Sequence, residues 1–176
     1  MKLQELLTGF DVLQVIGNTA IEVTGIQSDS RQVTTGHVFV AQAGTTVDGH
    51  TYIAQCVDKG AAAIVLDNAS YMPTQPTEVV YILVKSSDEA LGKMAHTWYG
   101  QPSTRLRLVG VTGTNGKTTV THLIRHVLEQ NGEKCGLIGT NGVFFGDVAR
   151  ESARTTPESL ELYGILREMV DAGMTC

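Results

Sequence analysis

Two glycines, a lysine and three threonines crowd residues 113–119, which read Gly113-Thr114-Asn115-Gly116-Lys117-Thr118-Thr119. Glycines at 113 and 116 let the backbone turn sharply and aim successive amides at one point, a geometry that suits an anion. A helix opening behind them would add a partial positive charge. Lys117 is placed to reach the β- and γ-phosphates of a triphosphate, and the Thr118 hydroxyl is placed to ligate Mg²⁺. The spacing departs from the strict phosphate-loop form, which requires glycine where this chain has Val111. What stands here is G-x-x-G-x-x-G-K-T, residues 110–118. A purely structural glycine-rich turn is the alternative, but Gly-Lys-Thr falls at the mouth of a helix, where phosphate chemistry needs it.

The elements around this stretch must hold it in place. Residues 106–111 are apolar and β-branched and read as a strand, apolar on both faces and so central in a parallel sheet. Beyond the loop, Val120, Leu123, Ile124, Val127 and Leu128 recur at helical spacing as one stripe. Gly132 ends that helix. Residues 135–139 read as another strand, and residues 143–145 and 148–150 as a small hairpin around Gly146-Asp147. A last helix follows from Pro157, with Thr156 as N-cap and Leu162, Leu166, Met169 and Val170 on its buried side. Gly173 ends it.

The first hundred residues show a similar alternation. Helices are expected at residues 3–7, 51–59 and from Ser86, where Ser86 and Glu89 have capping-box spacing. Strands are expected at residues 21–27, 38–43, 61–66 and 79–84, and Gly60 is placed to end the second helix. Ser28-Asp29-Ser30-Arg31 after the first strand suits an Asx- or Ser-turn. The run at residues 101–104 (Gln-Pro-Ser-Thr) is the boundary candidate, dividing residues 1–101 from residues 105–176. The fold class is α/β: a small N-terminal α/β domain, then the first part of a parallel-sheet nucleotide-binding domain. That second part is short of strands, and no acidic residue at a strand end supplies a second metal ligand. The chain therefore reads as the front of a longer enzyme.

Composition narrows the partners. The 176 residues carry a net charge of −5 and no basic stripe, which argues against nucleic acid. No apolar run reaches the roughly 20 residues a membrane span needs, and residues 1–10 lack a secretory pattern. Cys56, Cys135 and Cys176 are odd in number and widely spaced, so neither a disulfide framework nor a zinc site is expected; a reducing cytoplasm fits. His37, His50, His96, His122 and His126 show no metal-ligand pattern.

With these residues in view, the chain resembles the Mur ligase family of bacterial cell-wall synthesis. Four stretches carry the likeness: residues 28–53 beginning Ser28-Asp29-Ser30-Arg31, residues 59–63 (Lys-Gly-Ala-Ala-Ala), residues 110–119, and Thr155-Thr156-Pro157. Within the family the likeness leans to the UDP-N-acetylmuramoyl-tripeptide synthetase branch. The alternatives are the branch that adds D-alanyl-D-alanine later, a non-catalytic nucleotide-binding module and a simple phosphate-loop NTPase.

The resemblance implies an ATP-dependent amide-bond ligase of peptidoglycan precursor synthesis. Such an enzyme adds diaminopimelate or lysine to UDP-N-acetylmuramoyl-L-alanyl-D-glutamate through an acyl phosphate. It implies ATP on residues 113–119 with Lys117 catalytic, and Mg²⁺ on Thr118. It further implies the uridine nucleotide on Ser28, Ser30, Thr45, Thr46 and Val47, and the sugar-peptide on Thr155 and Thr156. The expected setting is a cytoplasmic monomer without nucleic acid or membrane partners, and the expected activity of these residues alone is little or none.

Overall fold

The computed structural model describes residues 1–44, 47–151 and 154–176, and the chain divides into two compact units, Met1–Trp98 and Tyr99–Cys176. The first unit is a five-stranded sheet of order β1-β5-β4-β3-β2, built from β1 (Val12–Ile16), β2 (Gly25–Gln27), β3 (His37–Val40), β4 (Ala63–Leu66) and β5 (Val80–Val84). β2, β3, β4 and β5 are mutually parallel, and β1 runs antiparallel along β5. Strand β1 is absent from the sequence reading. It is an edge strand whose Leu13 and Val15 remain exposed, so its apolar residues give no burial pattern to read.

Both faces of this sheet are covered. Phe39, Ile64 and Leu66 pack with Ile53 and Cys56 of α2 (Ile53–Asp58). Strand residues alternate in direction, so Val38, Val40, Ala63 and Val65 turn to the other face. There α3 (Ser87–Trp98) contacts β4 and α1 (Leu3–Leu6), and buries Leu91, Met94 and Ala95. The expected helix at 51–59 divides: residues Gly49–Tyr52 form a 3-10 turn capped by Asp48, and the α-helix begins at Ile53. Helix α3 is capped as read, with the Glu89 amide donating to Ser86 Oγ at 3.2 Å.

Gly60 sits at φ +86° just past α2. Its amide donates to the Val57 carbonyl, and the Ala61 amide to that of Cys56, the paired bonds of a Schellman cap. Gly132 and Gly173 end α4 (Lys117–Gln130) and α5 (Ser159–Asp171) with the same pair of bonds.

The second unit holds an antiparallel meander of β6 (Leu137–Gly139), β7 (Gly142–Phe145) and β8 (Val148–Arg150). Ile165, Leu166 and Met169 of α5 pack on Val143, Phe145 and Leu106. Three expectations are corrected here. Residues 106–111 form no strand, and Leu108 and Val109 are about half exposed. The physical reason is pairing: Arg107 bonds to Thr175, but a strand continuing from it finds no neighbour among the described residues. For the same reason no residue of α4 is buried, and Val120, Leu123 and Val127 face outward. Helix α5 starts at Ser159 with Glu158 in the N-cap position, not at Pro157 with Thr156.

A fourth correction concerns cysteine. Cys135 and Cys176 form a disulfide across a sequence separation of 41, leaving Cys56 buried and free. Residues 174–176 run between the segments at 106–107 and 134–136. The Arg107 amide donates to the Thr175 carbonyl, the Thr175 amide to Lys134 and the Gly136 amide to Cys176. The last helix thus delivers the chain to a further lane, bonded to residues 107, 134 and 136.

Candidate functional site

In the second unit, the loop at residues 113–116 leads into α4 through Gly116, which holds φ +79° in the N-cap position. Gly113 holds φ +143°, and an added side-chain carbon at Gly116 would meet nothing within 4 Å. Both glycines are therefore required by backbone conformation, and the space beside Gly116 is open. Thr114, Asn115 and Thr119 are exposed; Lys117 and Thr118 are half-buried at the first turn of α4. Lys117 Nζ donates to the Gly113 carbonyl at 2.6 Å.

A cleft of about 560 Å³ opens beside this loop. Gly113, Lys117 and Thr118 line it together with Thr155, Thr156 and Pro157, so two stretches some forty residues apart share one cavity. Thr155 Oγ1 lies 3.3 Å from Thr140 Oγ1, at the end of β6. Thr140 and Asn141 also line the cleft, and sequence reasoning did not single them out because their turn carries no motif. An open glycine loop at a helix N-terminus, with a lysine and a threonine hydroxyl beside it, fits a polyphosphate with its divalent cation.

In the first unit, the predicted residues lie at the carboxyl edge of the parallel strands. Ser28 and Ser30 follow β2, and Val47, exposed, lies on the loop after β3. Thr45 and Thr46 lie outside the described residues. The turn at 28–31 is an Asx-turn: the Arg31 amide donates to Asp29 Oδ1 at 2.9 Å. The Arg31 guanidinium also grips the Asp29 carboxylate, with Nη2 to Oδ2 at 2.7 Å, and holds that carboxyl well below the usual range. Lys59, the C-cap residue of α2, donates from Nζ to the Ser30 carbonyl at 2.7 Å and pins the turn from below. This cation explains a part of the 59–63 motif that sequence alone left unassigned.

The same edge carries a buried histidine. His50 is 2 % exposed, its Nδ1 2.6 Å from Asp48 Oδ1 and its Nε2 3.2 Å from Asp67 Oδ1. The bonds from His50 hold the Asp48 carboxyl below its ordinary value.

Comparison with known proteins decides what shares this arrangement. A family model described as the Mur ligase middle domain matches residues 111–176, and one described as Mur ligase family, catalytic domain, matches residues 22–99. The UDP-N-acetylmuramoyl-L-alanyl-D-glutamate–2,6-diaminopimelate ligase of Bacteroides fragilis is 46% identical over 174 residues. The chain belongs to the Mur ligase family.

That alignment covers 98% of this Mur ligase chain and 35% of the relative, so the chain spans about a third of the relative's length. A solved structure of a ligase of the same description superposes with a TM-score of 0.73, covering 99% of this chain and 34% of that one. Its 23% identity speaks for the fold alone. The MurF ligase of Thermotoga maritima, solved in complex with ADP, gives a TM-score of 0.51 at 27% identity over 82% of this chain and 29% of that one. No described helix of this Mur ligase chain is long and apolar enough to cross a membrane.

Proposed function

We propose that this chain supplies the uridine-nucleotide and ATP sites of a ligase that joins diaminopimelate, or lysine, to UDP-N-acetylmuramoyl-L-alanyl-D-glutamate. The carrying observation is the single cleft lined by Gly113, Lys117, Thr118, Thr155 and Thr156. Support comes from the Bacteroides fragilis relative, whose name states the diaminopimelate reaction, and from the Thermotoga maritima neighbour, whose structure holds ADP.

Residues 113–119 bind the triphosphate of ATP. Lys117 sits by the β- and γ-phosphates and offsets the charge that grows on the transferring group. Thr118 holds the Mg²⁺, which when bound neutralises the phosphate oxygens. Thr155 and Thr156 contact the sugar-peptide in the same cleft, bringing its carboxylate towards the γ-phosphoryl group. A carboxylate oxygen attacks that phosphorus, ADP leaves, and the acyl phosphate forms. The amine then attacks the acyl carbon, forming the amide and releasing phosphate. In the first unit Ser28, Ser30, Thr45, Thr46 and Val47 take the uridine nucleotide, so residues 1–101 are the UDP domain and residues 105–176 part of the ATP domain. The protein works as a cytoplasmic monomer.

The chain binds both ligands in this reading, but amino-acid selection lies in segments of its relatives outside these residues. Titration calorimetry with UDP-N-acetylmuramoyl-L-alanyl-D-glutamate and with Mg·ATP tests the binding, and amino-acid-dependent phosphate release tests turnover. Binding of both without turnover is the expected result. Failure of either ligand to bind overturns the proposal.

A further inference from the structure

His50 is buried in the first unit, and the proposed chemistry gives it no task. Its Nδ1 bonds to Asp48 Oδ1 at 2.6 Å, and the same carboxylate oxygen accepts the His50 backbone amide at 3.0 Å. Its Nε2 faces Asp67 Oδ1 at 3.2 Å but off the line a hydrogen bond needs. Among the described residues it is the one buried side-chain nitrogen or oxygen without a hydrogen-bond partner. Tyr71 covers the ring at a centroid distance of 5.3 Å. An unsatisfied buried nitrogen is costly, and phenylalanine would fill the same space without that cost. The imidazole must therefore be held for its Nδ1 contact.

What that contact holds is the stem of the loop carrying Val47. Asp48 bridges Ala43, the Gly44 amide donates to the Val47 carbonyl at 3.1 Å, and the Gly49 amide donates to the Gln42 carbonyl at 2.8 Å. On its far side His50 rests on Asp67, at the end of β4, whose Oδ2 accepts the amide and hydroxyl of Ser87 at the start of α3. Asp48, His50, Asp67 and Ser87 thus form a polar chain along the carboxyl edge of the parallel strands. In parallel α/β sheets this edge is where ligands dock.

We infer that His50 is a positioning residue for uridine-nucleotide binding: through its Nδ1 bond to Asp48 it fixes the loop stem that presents Val47. The inference rests on the uridine assignment proposed above. The two ring nitrogens can be tested separately, because asparagine places its amide nitrogen near Nδ1 and glutamine places its own near Nε2.

The test is calorimetric titration of UDP into the 176-residue chain and its His50→Asn, His50→Gln and His50→Phe variants, each checked for folding by circular dichroism. The expected result is a UDP affinity for His50→Asn within about threefold of wild type, and a loss of about tenfold or more for His50→Gln and His50→Phe, the scale of one charge-assisted hydrogen bond. Glutamine binding as well as asparagine, or phenylalanine binding as well as wild type, overturns the inference. Should a His50 variant fail to fold, Asp48→Ala removes the same bond from the loop side, and the same tenfold loss is expected; unchanged affinity there overturns the inference. Loss of UDP binding in Val47→Asp, with all His50 variants binding normally, overturns the positioning role and leaves the uridine assignment standing. A wild-type chain that binds no UDP overturns both.

Discussion

Lys117 is tied to Gly113 across the loop, its Nζ donating to the Gly113 carbonyl at 2.6 Å. The ammonium is folded back over the turn, so an arriving phosphate competes with one neutral carbonyl for it. Charged acceptors form the stronger bond, and the phosphate takes the lysine. Lys117→Ala is expected to weaken Mg·ATP binding about tenfold or more, read by calorimetry, with the thermal midpoint little changed. Unaltered affinity would remove the triphosphate from this loop.

The Asp29–Arg31 clamp makes a prediction about acid. The carboxyl is depressed by the guanidinium bonds, so the stability it contributes is present above the unfolded-state value of about 3.9 and is lost as pH falls through the lower folded-state value. Both partners are near the surface, so the effect on stability is small. Carbon-detected NMR of the Asp29 carboxyl should show it still ionised below the ordinary carboxylate range. Arg31→Ala should raise it towards the ordinary range, the part that remains lowered coming from the amide of residue 31 and from Gln32.

The cysteine pair can be counted. In the unfolded, unreduced chain a thiol titration should find Cys56 alone, and after reduction all three cysteines. Closing a loop of this size limits the unfolded ensemble, so Cys176→Ser should lower unfolding stability of the second unit by about 2–4 kcal/mol. A full complement of thiols before reduction contradicts the bridge.

Apolar residues of the second unit should divide by burial rather than by type. Leu123 is 59% exposed, whereas Ile165 is 2% exposed against Val143 and Phe145. In this chain Leu123→Lys should change stability by less than about 0.5 kcal/mol, and Ile165→Ala should cost about 2–5 kcal/mol. Urea denaturation measures both. A large loss at Leu123 would mean that the outward face of α4 is covered in solution.

Local signals were the legible part. Gly60, Gly132 and Gly173 mark three helix ends because only glycine accepts the left-handed backbone there at low cost, and that preference is written in one residue. The strands at β3, β4 and β5 were legible because their residues are apolar on both faces. What failed depended on partners. Residues 106–111 have strand composition, but a ladder needs a neighbour, and composition does not say whether one is present. The stripe on α4 is likewise amphipathic in sequence and unburied in structure. Cys135 and Cys176 meet only because the segment after α5 returns beside the approach to β6. The loop glycines and Lys117 were visible from their motif, whereas His50 was not: its burial and its position between Asp48 and Asp67 arise only when the strands bring their carboxyl ends together.

The lane at residues 174–176 lies between two others that precede it in sequence, and its bridge to Cys135 spans a separation of 41. During synthesis the two outer lanes emerge from the ribosome before the one that joins them, and α5 must form in between. Closure of this unit is therefore a late, non-local event. Until it happens, Leu106 and the approach to β6 wait without their middle neighbour.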